Sequence, residues 1–360
     1  MYYFCVPCDF KLETLDMIRQ INEKAEKFVV YEVYGQITEG EFTGSGRMTS
    51  ILPSTDIKDL ETYLCYCKKE NISFNYVFNP SCMGNIEFNK DGIEKIKSFI
   101  LSLHELGVNS ITVALPSIME LIRSLDLNIE IKASAICEIN SVNKAAFYKN
   151  ISDRIVLDPD ITRKFDIIEN ICDTFGSEVE IIVNNVCIRN CAYKMFHYNH
   201  EAHCNKNTNQ NEMNYYFHRC AMQKARDINN MLKINWIRPE DLHYYYDKGI
   251  KYFKLQGRHN TNGDNLLRTL KYYFNENYDG DLLELITLFA PYNSFQIKMD
   301  NKKLDGYIDG FYSNHNLCSE VCQKCNYCSE FLSKSINVQE SILINNKATN
   351  FYQKYDQYLK

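Results

Sequence analysis

Residues 73–114 read SFNYVFN (73–79), PSCMGNIEFNKD (80–91), GIEKIKSFILSLHEL (92–106), GV (107–108) and NSITVA (109–114). The outer pieces are short aromatic or β-branched runs, and the third repeats apolar residues three and four apart. The stretch therefore spells strand, helix, strand. The same unit recurs outward in both directions. Strand-like runs lie at Tyr2 to Val6, Phe28 to Tyr34, Asn128 to Ala133, Arg154 to Leu157, Glu178 to Val183 and Tyr252 to Leu255. Helical patterns occupy Leu12 to Ala25, Ile57 to Glu70 and Asp160 to Phe175. Eight βα units in order predict an α/β fold, a closed (β/α)8 barrel of the TIM type. An open, doubly wound sheet is the alternative, because one sequence does not show strand order.

Two features interrupt the alternation. After the seventh strand, the residues from Asn184 to Trp236 carry Cys, His, Asn and Tyr in place of an apolar stripe. Loops of that length inside a compact domain are usually functional. Beyond the helix that follows strand eight, a tail holds a second cysteine-dense stretch and a final helical segment near Val338 to Leu359. The chain divides into a barrel of residues 1–277, with a cysteine-rich insertion at 184–236, and a cysteine-rich C-terminal extension of residues 278–360.

Composition sets limits on function. With 360 residues, 45% hydrophobic and 24% charged, the chain has material for a large core and does not read as disordered. No run approaches the roughly 18 uninterrupted apolar residues of a membrane span. The opening MYYFCVPCDF lacks the basic start and long apolar core of a signal peptide, so a cytoplasmic protein is expected, with no membrane partner. A net charge of −6 disfavours a surface built for nucleic acid, while leaving room for a local basic pocket. In a reducing cytoplasm, fifteen cysteines point to metal ligands more than to disulfides.

Barrel enzymes keep their chemistry at the C-terminal ends of the strands. There, Lys254-Leu255-Gln256-Gly257-Arg258 alternates so that Lys254, Gln256 and Arg258 share one face, with Gly257 letting backbone approach a ligand. Two cations at a barrel mouth suit a carboxylate or phosphate, and Lys254 and Arg258 are the candidate catalytic residues. Polar residues such as Glu32, Gln36, Lys132 and Asn185 also end strands, and each by itself reads as a local hydrogen-bonding residue.

Cys187, Cys191, Cys204 and Cys220 form the first cysteine group, four in 34 residues. Their spacing matches no zinc knuckle, but a cluster whose ligands come from a folded loop needs no tight repeat. Neighbouring His197, His200, His203 and His218 leave a mixed Cys/His zinc site, or a histidine in place of one thiolate, as alternatives. The second group, Cys318, Cys322, Cys325 and Cys328, packs four thiols into eleven residues. Such a run is closer to ferredoxin-type clusters than to paired zinc ligands, so a 4Fe–4S cluster is favoured over zinc at the C-terminal cysteines. Its first three thiols also fit the C-x3-C-x2-C of radical S-adenosylmethionine enzymes, where the motif normally lies early in the barrel rather than beyond it. Cys5 and Cys8, a C-x2-C pair at the end of the first strand, read as core packing and are spare ligands for either group.

The order Ile237-Arg238-Pro239-Glu240-Asp241-Leu242, Gly249-Ile250, Phe253-Lys254-Leu255-Gln256-Gly257-Arg258 resembles collagenase-like peptidase family U-32, which carries P-x-D-L, G-[VI] and K-[IL]-E-G-R in turn. With the cysteines, the similarity covers roughly residues 100–276. The resemblance implies a barrel-like α/β fold and an oxygen-sensitive cluster held by four cysteines. It also implies, for several members, oxygen-independent hydroxylation of RNA bases or of a quinone precursor. Some members work as paired subunits, and RNA-modifying members draw on prephenate as oxygen donor. Cys187, Cys191 and Cys220 carry over as ligands, with Cys204, a nearby His, Cys5 or Cys8 as the fourth. Here Gln256 replaces the usual Glu, Cys187 and Cys191 stand closer than in better-known members, and the tail motif is outside the common pattern. The expected function is an iron–sulfur enzyme, with one or two 4Fe–4S clusters, that oxidatively modifies a metabolite, peptide or RNA base. A paired subunit or electron donor is the expected protein partner. A peptidase is one alternative, although no G-x-S-x-G or H-E-x-x-H is present, and a non-catalytic iron–sulfur or zinc subunit is another.

Overall fold

The computed structural model describes residues 1–40, 42–204, 215–259, 261–290 and 294–357. Eight parallel strands close into a barrel: β1 (Tyr2–Pro7), β2 (Phe28–Gly35), β3 (Ser73–Phe78), β4 (Ser110–Val113), β5 (Glu130–Ala133), β6 (Arg154–Val156), β7 (Val179–Ile182) and the eighth at Tyr252–Lys254. Two further strands, β8 (Asn184–Ile188) and β9 (Ile234–Trp236), pair antiparallel outside it, so the eighth barrel strand is β10. Every strand expected from the sequence forms, within a residue or two at each end. The doubly wound alternative is overturned by the hydrogen bonding of β1 to β10, through Tyr3 opposite Tyr252 and Cys5 opposite Lys254.

Alternation divides the strands between two cores. Phe4, Val30, Tyr76, Ile111, Ile131, Ile181 and Phe253 face the surrounding helices and are buried there. The opposite face points to the barrel axis and is largely polar. A bulge between Phe4 and Cys5 on one side and Val30 and Glu32 on the other leaves Tyr31 as an extra residue. As a result Tyr31 and Glu32, neighbours in sequence, both reach the axis and both approach Lys132.

Local signals fix the surrounding helices. Asp56 caps the helix Ile57–Lys69 by accepting from the amides of Lys58 and Asp59, while the Asp59 side chain takes the Asp56 amide. The helical pattern beginning at Asp160 is shorter than expected. Pro159–Ile161 forms a single 3-10 turn, the helix starts at Phe165, and the Asp160 carboxylate is drawn away to Lys194 and Asn235.

The insertion leaves and re-enters the barrel through the β8–β9 ribbon and carries the helices Lys194–His203 and Tyr215–Arg226. The tail packs back onto the same molecule. Leu282, Met299, Leu304, Tyr307 and Leu332 join one continuous apolar core with the barrel helices. The P-x-D-L segment forms the joint: Arg238, 2% exposed, is gripped through Nε and Nη2 by the Asp241 carboxylate. Its remaining nitrogen donates to the Asn301 carbonyl and to Asp305. This motif therefore fastens tail to barrel and lies away from the barrel axis. No described helix is long and apolar enough to cross a membrane.

Candidate functional site

The barrel axis holds a closed ionic network. Lys132, fully buried, pairs with Glu32 and with Glu180 at 3.0 Å and donates to the Tyr31 hydroxyl at 3.2 Å. Lys254 lies 3.5 Å from the second oxygen of Glu180 and stands over the Tyr34 ring at 4.0 Å. Burial opposes charge on Glu180, yet Lys132, Lys254 and Arg154 hold its carboxyl at about 2, well below the usual range. Cys5 donates to Glu32 at 2.9 Å, with the Lys254 ammonium 3.8 Å from its sulfur. Burial pushes this thiol far above its ordinary range, with Glu32 adding to the effect. Among the described residues, Cys5, Glu32 and Glu180 are the one group of three metal-type ligands within 4.8 Å of one another. A divalent ion is not what they hold, because the Lys132 ammonium already bonds both carboxylates.

Above this network is the mouth. Arg258 donates to Gln36 and stands 6.0 Å from the Tyr34 ring centre. It forms no ion pair among the described residues. Burial, with repulsion from Arg47, lowers its guanidinium to about 10 against the support of Tyr34. Arg47 approaches from the loop after β2, 5.7 Å from the Tyr198 ring and 3.8 Å from Glu201. Beside these cations, Gln36 Nε2 and Asn79 Oδ1 are buried without a hydrogen-bond partner. A buried cation beside an orphaned donor, Gln36 Nε2, is what an anionic ligand would complete, while the Asn79 oxygen calls for a donor such as a hydroxyl on the same ligand. Lys254 and Arg258 thus share the Tyr34 ring, but Lys254 is already neutralised by Glu180 and only Arg258 is uncompensated. Gly257, at φ +132°, does allow a close approach, yet the group it admits is the Leu288 side chain on the outer side.

Gln256 connects the mouth to the first cysteine group. It donates to the Asn184 carbonyl at 3.3 Å and accepts from Asn185 at 3.3 Å, a pairing of donor and acceptor that a Glu would not supply. The Asn185 side-chain oxygen in turn accepts the Cys187 amide at 2.9 Å. Cys187, Cys191 and Cys220 stand close enough for their charges to interact. Burial pushes the Cys187 thiol up to about 11, with Cys220 and Cys191 adding repulsion and Lys224 and Arg47 opposing. Cys191 is raised by burial and also feels Cys220. The Cys204 sulfur lies 3.5 Å from His200 Nε2 one helical turn away. Three partly exposed thiols whose charges interact, with Lys224 and Arg47 on the side of Cys187, suit an anionic iron–sulfur cluster. Cys8 packs on Gly35 and Cys67, distant in role from either group.

The four tail cysteines, Cys318, Cys322, Cys325 and Cys328, line a single cavity of about 270 Å³. Neither Arg47 nor the axial Glu180 pairing was visible in the sequence. Arg47 lies in a loop with no motif, and Glu180 is inside a strand whose alternation alone hinted that it faces the axis.

A family model described as peptidase family U32 matches residues 53–321, a wider span than the motifs alone marked out. The chain is 33% identical over 347 residues to an uncharacterized protease, MJ1657, of Methanocaldococcus jannaschii, covering 94% of this chain and all of that protein. Among solved structures, the U32 peptidase Mk0906 is similar with a TM-score of 0.49 and 15% identity, over 71% of this chain and 92% of that one. D-psicose 3-epimerase from Clostridium cellulolyticum H10, with D-tagatose, gives a TM-score of 0.35 at 11% identity, over 58% of this chain and 82% of that one. The two structural likenesses are too distant to carry a functional argument. The family match and the full-length relative carry the assignment: the chain belongs to peptidase family U32.

Proposed function

We propose that the protein is a cytoplasmic iron–sulfur enzyme that hydroxylates, or otherwise oxidatively modifies, an acceptor without O₂. The observation that carries this reading is the hydrogen-bonded path Gln256–Asn185–Cys187, which ties the first thiol of the insertion to the mouth where Arg258 waits uncompensated. Cys187, Cys191 and Cys220 would hold a 4Fe–4S cluster, with Cys204 or a nearby residue as fourth ligand. When bound, such a cluster supplies electron transfer and an electrophilic iron. Arg258 and Arg47 bind and orient a carboxylate-bearing oxygen donor of the prephenate type, and Tyr34 with Gln36 walls it from water. The buried Lys132–Glu180–Lys254 network keeps Arg258 as the free cation at the mouth. The acceptor is a metabolite, a peptide or an RNA base, and a protein partner delivers electrons or completes a paired assembly.

One observation favours a second reading. The relative from Methanocaldococcus jannaschii is named a protease, and Cys204 beside His200 is a thiol–imidazole pair of the kind that supports nucleophilic hydrolysis. One experiment separates the two. Chain purified without oxygen is analysed for iron, sulfide and zinc, then assayed for peptide hydrolysis before and after the metal is stripped. Brown protein with about four irons bound by the insertion, lost in Cys187→Ser/Cys220→Ser, supports the iron–sulfur reading. Colourless protein that cleaves peptides, and stops doing so as Cys204→Ala, overturns it.

A further inference from the structure

We propose that the tail cysteines form a second iron–sulfur site, separate from the first, and that the half-buried Arg189 supplies the positive charge that holds it. The site stands on its own thiols, and only the count of two clusters rests on the first group holding one as proposed above; if it does not, the tail variant loses all of the iron and the insertion variant none.

Geometry comes first. Cys318, Cys322, Cys325 and Cys328 all open onto one cavity of about 270 Å³. Four thiolates on a single zinc, with bonds of about 2.3 Å, must lie within about 4 Å of one another. No three of these sulfurs come within 4.8 Å. In a cubane each thiolate binds a different iron, so its ligands need no triad as tight as zinc's and only have to open onto one cavity.

Charge is the second argument. Four thiolates around an iron–sulfur core leave a net anion; the cavity wall carries Lys233 with Asp227 and Glu320, Glu320 is itself paired with Lys164, and Arg189 reaches the thiols at Cys318. Arg189 donates through Nη1 to Cys318 Sγ at 3.5 Å, while its Nε and Nη2 are buried with no hydrogen-bond partner among the described residues. Arg163 lies behind, between the rings of Trp236, Tyr307 and Phe311, and its Nε is likewise unpartnered. Neither arginine forms an ion pair among the described residues. The Tyr307 hydroxyl, 3.3 Å from Cys328 Sγ, can donate to a thiolate. Buried guanidinium groups with unused N–H are costly unless an anion meets them, and the thiol cavity is where that anion belongs.

The third observation is where Arg189 comes from. It lies between Cys187 and Cys191, in the turn that carries the first cysteine group. The adjacent Asn190 donates to Glu320 at 3.0 Å, and Glu320 also pairs with Lys164 at 2.6 Å. One turn thus bears two thiols of the first group and the counter-charge of the second. The two sites share a wall, and the second lies on its outer side, where Cys322 is exposed.

The test uses the full chain, purified without oxygen. Iron and sulfide are counted in wild type, in Cys322→Ser/Cys325→Ser and in Cys187→Ser/Cys191→Ser, and reduced samples are examined by electron paramagnetic resonance. The expected result is that each double variant loses about half of the iron and a different part of the spectrum. Full iron in the tail variant, or one zinc per chain lost from it, overturns the site. Arg189→Leu is expected to shift the midpoint potential of the tail signal to a more negative value and to leave the other signal in place, while Arg189→Lys restores it. An unmoved tail potential in a leucine variant with wild-type circular dichroism overturns the role of Arg189. If the leucine variant does not fold, the same titration on Arg189→Gln decides, since it removes the charge but keeps a polar side chain, and a tail potential unmoved in that variant overturns the role of Arg189.

Discussion

Glu180 shows how much a single side chain inside the barrel is asked to do. One oxygen bonds Lys132 at 3.0 Å and the other faces Lys254 at 3.5 Å, so its loss leaves two buried ammonium groups short of a partner. Lys132, Lys254 and Arg154 hold its carboxyl well below the ordinary 4.5 in the folded chain, so the stability it contributes is fully present above about pH 4.5 and is lost as pH falls through the lowered folded value. Glu180→Gln should destabilise the protein by about 3 kcal/mol at pH 7 in urea titrations. The same variant should show a smaller acid-side decline than wild type, the part that comes from Glu201, also held low by His197 and Arg47, remaining. Equal stability at pH 7 would mean that the two lysines find other partners. At this scale the sequence was only half legible. Lys254 and Arg258 stood out because they flank a glycine in a motif, whereas Glu180, Glu32 and Lys132 became partners only when the barrel closed.

Elements carry the mouth as much as residues do. Arg47 reaches Tyr198 only because the loop after β2 lies flat against the end of β3. Gly46 makes that possible: a Cβ there would stand 2.3 Å from the Asn79 carbonyl oxygen. Gly46→Ala should lift the loop, cost about 1–3 kcal/mol of stability, and weaken binding of a dicarboxylate such as malonate, read by calorimetry, by about tenfold. Affinity equal to wild type would remove Arg47 from the site. The loop has no periodicity and no motif, which is why sequence reasoning passed over it. The strands were readable to within a residue or two because alternation and turn chemistry agree in each. The helix expected from Asp160 was shortened by a tertiary bond, the attraction of its carboxylate to Lys194, which no local pattern encodes.

Across the whole molecule, barrel and tail behave as one body. The Arg238 grip on Asn301 and Asp305, with the shared core of Leu282, Tyr307 and Leu332, leaves little of the extension outside the barrel's own packing. A chain ending at residue 277 should therefore expose a large apolar face and be recovered mainly as aggregate, while the full chain should melt in a single calorimetric transition. A soluble, cooperatively melting truncation would show instead that the extension is an independent unit. The boundary placed near residue 278 from composition marks a change in chain character, and the packing crosses it freely.

Barrel closure has a further consequence, in time. Strand β1 is made first but completes one side of its hydrogen bonding only with β10, so Tyr3 waits for Tyr252. At ribosomal speeds of about 5–20 residues per second, that delay is on the order of 12–50 s, during which one edge of β1 has no native strand to bind. The first strand of this protein is thus the one most exposed to wrong pairing as the chain emerges, and the one a chaperone would have most reason to shield.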